Sequence, residues 1–138
     1  MRGFIASSIF ATAACCLTAS AASAYRPKET VAVFGYVCDT KEQAESLPKA
    51  HKQAGYQAAI TQYAKLRATL NSHGEPVCAF SNRQFAAELI REVASYPDLE
   101  IAGESGAMTN KTFYVIEGRS ATGIIVYIVI EDTISLGL

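Results

Sequence analysis

Seven apolar residues follow one another without a break from Ile124 to Ile130. A strand with one wet face alternates apolar and polar residues, whereas an uninterrupted run asks for cover on both faces. The run predicts a strand over residues 123–131 in the middle of a sheet. Residues 31–38, VAVFGYVC, are β-branched and aromatic with little charge and predict a second buried strand, with Gly35 marking a bulge. Shorter strands are expected over 76–81, 99–102 and 112–117.

Between these runs the period changes to that of a helix. Asp39 and Thr40 offer capping oxygens, and Glu42 and Gln43 stand three residues on, which predicts a short helix ending near Leu47 before Pro48. Tyr56, Ala59, Ile60, Tyr63, Leu66 and Leu70 recur at helical spacing and predict an amphipathic helix over 56–71, closed by Asn71-Ser72-His73-Gly74. In residues 83–95, Phe85, Leu89, Ile90 and Val93 share a helical face, with Pro97 and Asp98 as the stop. The order predicts an α+β fold, a single mostly antiparallel sheet of about four to five strands packed on one face by two to three helices.

The N-terminus reads differently. A single charge at Arg2, an apolar stretch over 4–17 and a small, weakly polar stretch over 18–24 have the order of a secretory signal peptide. Its apolar part, about 14 residues, is shorter than the roughly 20 that a spanning helix needs, so no permanent membrane span is expected in the mature chain. Ala22-Ser23-Ala24 places cleavage between Ala24 and Tyr25. Lipoprotein processing at Cys15 or Cys16 lacks the usual upstream Leu, since Thr12, Ala13 and Ala14 stand there. The expectation is a signal peptide over 1–24 and one small exported domain over 25–138, periplasmic or extracellular. Residues 25–30 are short and polar and contain Pro27, so they read as a lead-in to the first strand.

Of the four cysteines, Cys15 and Cys16 leave with the leader and Cys38 and Cys78 remain. Two cysteines in an exported domain predict one disulfide. The alternative is a zinc site with His51 and His73. It fails on spacing, because structural zinc ligands come in close pairs and here only His73 and Cys78 are near neighbours. No metal and no cofactor is expected. Acidic residues slightly outnumber basic ones, 13 to 12, with charges interspersed, which argues against nucleic acid as a partner.

No catalytic constellation emerges. Gly103-Glu104-Ser105-Gly106-Ala107 has the outline of a nucleophile elbow, but Ala107 replaces the closing Gly and no histidine follows Ser105, so it reads as a turn. His51 and His73 are expected at the solvated surface. Glu131 and Asp132 are adjacent, so on a strand they face opposite ways and are poorly placed to share acid and base duties. Asn110-Lys111-Thr112 is formally a glycosylation acceptor and serves equally as a turn. Tyr56 and Tyr63, seven residues apart on one helical face, are the candidate binding residues, or else pack against the sheet. The function expected from these features is a small, non-catalytic exported module that binds a protein or envelope component. The alternatives are a small-ligand-binding or carrier domain, and a small hydrolase or inhibitor-like effector. A deep cleft holding a perturbed ionisable group would favour catalysis, and an exposed aromatic patch would favour binding.

Overall fold

The computed structural model describes residues 28–102 and 106–131. The expected signal peptide, the expected cleavage site at Ala24 and Tyr25, Ser105, Asp132 and the C-terminal tail lie outside the described residues. The elements are β1 (Thr30–Cys38), α1 (Lys41–Ala54), α2 (Tyr56–Ala68), β2 (Cys78–Ala102), β3 (Met108–Ser120) and β4 (Ile125–Glu131). The fold is α+β, with one antiparallel four-stranded sheet and two helices.

Each strand pairs with its successor, and β4 returns to β1 through Tyr36, Val37 and Cys38 against Val129, Ile128 and Tyr127, so the sheet closes into a barrel. Closure sorts the side chains by parity. Val31, Val33 and Val37 of β1 point inward with Val126, Ile128 and Ile130 of β4, Ile116 of β3 and Ala87 and Leu89 of β2. Tyr36, Cys38, Tyr127, Val129, Phe113 and Val115 point outward and are covered by Ala44, Leu47, Tyr63 and Leu66 of the helices. The unbroken apolar run of β4 thus serves two cores, its even positions filling the barrel and its odd ones meeting the helix layer.

Gly35 is needed for a different reason than expected. The register shift in β1 lies between Ala32 and Phe34, while a Cβ at Gly35 would run into the carbonyl oxygen of Val129 and come within 3.1 Å of Ile130 Cγ2. A side chain there would push β4 away from β1 where the barrel closes.

Residues 83–95 form no helix. They lie inside β2, a single strand of 25 residues that also absorbs the expected strands over 76–81 and 99–102. Its first half pairs with β1 up to Glu88, and its second half pairs with β3 from Ala87 onward. At about 3.3 Å per residue a straight strand of this length would overshoot any small domain. Bulges bend it instead, with shifts between Leu89 and Arg91, Glu92 and Ala94, and Tyr96 and Leu99. Arg83 (φ 69) and Asp98 (φ 60) adopt left-handed backbone at the bends. Buried Ser81 secures the first bend, donating from Oγ to the Val33 carbonyl at 2.8 Å and accepting from the Phe85 N–H at 3.2 Å. Helix-forming Ala, Glu, Leu and Arg in this stretch lose to pairing on both edges and to burial of Phe85, Ala87 and Leu89 at period two.

α1 starts with the capping box foreseen for it: the Gln43 N–H donates to Thr40 Oγ1 at 3.2 Å, and the Thr40 N–H donates to Gln43 Oε1 at 2.9 Å. It continues past Leu47 and through Pro48 to Ala54, because Ala44, Leu47, Pro48 and His51 all bury against the barrel and offset the hydrogen bond that Pro48 forgoes.

Cys38 and Cys78 face each other directly in the β1–β2 ladder and are joined by a disulfide, Cα to Cα 4.0 Å. The bridge fastens the two ends of the excursion that carries both helices. Beside it, Asn71 Nδ2 donates to Asp39 Oδ2 at 3.0 Å, tying the α2–β2 loop to the start of α1.

Candidate binding site

The strand parity that covers β1 and β4 with helices leaves a gap. Between α1, the start of α2 and the outer barrel wall lies a cavity of about 200 Å³. Phe34, Gly35 and Tyr36 of β1, Phe80 of β2, Phe113 of β3 and Val129 and Glu131 of β4 form its floor and sides, and Leu47, Pro48, His51, Tyr56, Ala59 and Ile60 form its helical wall.

Aromatic rings dominate it. Tyr36 lies 5.3 Å from Phe80, centroid to centroid, and Phe80 lies 5.4 Å from Phe34, both edge to face. His51 sits between Tyr56 and Phe113, 5.9 Å from each. Three large apolar side chains remain exposed around this cavity: Tyr56 at 44%, Ile60 at 42% and Phe80 at 45%. A shallower groove continues from His51 and Tyr56 along Lys52, Asp98, Glu100 and Met108.

The α1–α2 junction positions the helical wall. Gly55 (φ 91) takes a backbone that L side chains resist, and its N–H donates to the His51 carbonyl at 2.8 Å, which ends α1 and restarts the chain at Tyr56. His51 is buried, 7% exposed, and not at the solvated surface as expected. Its Nε2 lies 2.6 Å from the Glu100 carbonyl oxygen. A carbonyl oxygen only accepts, so Nε2 carries the proton and donates, and the bond pins the last turn of α1 to the far half of β2. His73 is exposed in the loop after α2, where its N–H donates to Asn71 Oδ1 at 2.9 Å.

Tyr56 and Tyr63 share α2 but not a role. Tyr56 stands at the cavity mouth. Tyr63 packs 4.6 Å from Tyr36 and its hydroxyl accepts the Phe80 N–H at 2.9 Å, so it braces the floor from behind. Burial pushes the Tyr36 hydroxyl above its ordinary pKa, with Tyr63, Tyr56 and Glu131 adding to the shift. The phenol therefore stays protonated as a donor through neutral pH.

Sequence reasoning singled out Tyr56 for binding, weighed His51 and Glu131 only for metal binding and for acid and base chemistry, and passed over Phe34, Tyr36, Phe80 and Phe113. A signal was present in β1, where Phe34 and Tyr36 stand two apart and so share a face. Nothing local says which sheet face the helices cover, or that they leave a gap over it. Among the described residues no group of three or more His, Cys, Asp or Glu is placed to hold a metal ion, and no helix is long and apolar enough to cross a membrane. Comparison with protein-family models, with curated proteins and with solved structures finds no match to this chain.

Proposed function

We propose that this chain is an exported, non-catalytic module that binds a protein or envelope component by taking one anchoring side chain of its partner into the aromatic cavity. The observation that carries the reading is the ring of exposed Tyr56, Ile60 and Phe80 around a preformed aromatic hollow. Exposed apolar side chains gathered around one concavity mark a recognition surface, and a few aromatic anchors can supply most of an interface's affinity. At about 200 Å³ the cavity is below the roughly 300–1,000 Å³ of sites that enclose a drug-sized ligand, and matches one side chain better. The imidazole inside it holds two elements together through its bond to a backbone carbonyl, and among the described residues no Ser, Thr, Cys or Lys lines the cavity for the other ring nitrogen to activate. The Cys38–Cys78 disulfide fits an oxidising compartment and, with the leader, supports export.

A photo-crosslinking residue at Ile60, compared with one at exposed Ala121 in the β3–β4 turn, tests the reading in the exporting cell. A discrete adduct is expected from position 60 alone, on protein whose intact mass begins at Tyr25. The recovered partner then binds the purified protein at least about tenfold more weakly after Ile60→Asp. Identical adducts from both positions, or affinity indifferent to Ile60→Asp, would refute it.

A further inference from the structure

We infer that the anchor is cationic: the cavity is built for the primary ammonium of a lysine side chain on a protein partner, an assignment that rests on the binding-module reading above. Aromatic faces carry the negative lobe of a quadrupole and attract cations, most strongly where water is excluded. Phe34, Tyr36, Tyr56, Phe80 and Phe113 bring five such rings to one small space. Phe34 already shows the preference, with the Arg83 guanidinium carbon 5.0 Å from its ring centroid. Arg83 is not among the residues lining the cavity, so that cation lies outside it.

The charge of the walls has the matching sign. Among the described residues no Lys or Arg lines the cavity, and Glu131 brings a carboxylate to it from the β4 face that also carries Val129. Hydrogen-bond character agrees. Because Nε2 of His51 is the donor to Glu100, Nδ1 is the ring nitrogen left to accept, and an ammonium is a donor with no acceptor of its own. Leu47 and Ile60 offer apolar surface along which an aliphatic stem can lie while its charged head meets the rings. An ammonium is a compact point charge on a flexible four-carbon stem, so one acceptor and the surrounding rings are enough to hold it.

The test titrates the exported protein, followed by its amide and aromatic NMR signals, with Nα-acetyl-lysine N-methylamide and with Nα-acetyl-norleucine N-methylamide, which has the same four-carbon stem and no ammonium. The lysine compound is expected to shift Phe34, Tyr56 and Phe80 and to bind about tenfold more tightly than the norleucine compound. Tyr56→Leu and Phe80→Leu, at exposed positions that leave the core intact, should each weaken lysine binding about threefold or more, while Tyr56→Phe retains it. Norleucine binding as tightly as lysine, or lysine binding unaffected by both leucine variants, overturns the cationic assignment and leaves the anchor cavity standing. If neither compound shifts the cavity signals, the cavity reading falls with it.

Discussion

Removing the disulfide by Cys38→Ala with Cys78→Ala should cost about 4 kcal/mol of stability. The figure follows from the bond's sequence separation of 40, since cross-linking a loop of that length removes roughly 13 cal/mol/K of chain entropy from the unfolded state. The folded state has little reason to share the loss. Cys38 and Cys78 are register partners in an antiparallel ladder, and the Asn71–Asp39 bond beside them is independent of the sulfurs. The effect therefore acts through the unfolded chain, which regains the freedom of the whole helical excursion. At roughly 4 °C per kcal/mol for a domain of this size, the melting temperature should fall by about 15 °C. Urea denaturation of the oxidised protein, the reduced protein and the double variant separates the causes, because reduction removes the constraint while keeping both sulfurs in place. Both perturbed forms are expected near the same lowered stability. A reduced protein within about 1 kcal/mol of the oxidised one would refute the argument and place the folding constraint elsewhere.

Gly35→Ala should destabilise the fold by at least about 1–3 kcal/mol, since the added methyl meets the Val129 backbone at barrel closure and no flexible side chain can yield; an unchanged urea midpoint would contradict that close approach. The Tyr36 hydroxyl has a folded pKa raised above its ordinary value of 10.0, so the fold holds this proton more tightly than the unfolded chain does. Its contribution is complete below pH 10 and is lost as pH rises through the folded value. Denaturation midpoints should decline above pH 10, and Tyr36→Phe should flatten that decline; parallel pH profiles for the two proteins would exclude Tyr36 as a source.

Much of the architecture was legible in residue order. β1 and the apolar run of β4, the capping box at Thr40, the long helix from Tyr56 and the pairing of Cys38 with Cys78 each rest on a local pattern or on simple arithmetic, and the α+β class follows from their succession. These readings needed no knowledge of neighbours because side-chain period and capping chemistry are properties of the segment itself. Residues 83–95 mark the boundary. Phe85, Leu89, Ile90 and Val93 fit a helix and Phe85, Ala87 and Leu89 fit a strand, and two open sheet edges, which no local pattern reveals, decided for the strand. His51 shows the same limit, polar in its sequence context yet buried once α1 runs through Pro48 and brings it to the Glu100 carbonyl. The candidate site is almost wholly tertiary. Phe34, Phe80, Phe113 and His51 come from four separate elements, and they meet only because barrel closure turns one parity of every strand outward beneath a helix pair broken at Gly55. Periodicity fixes which face a residue takes, and only long-range pairing decides what that face will meet.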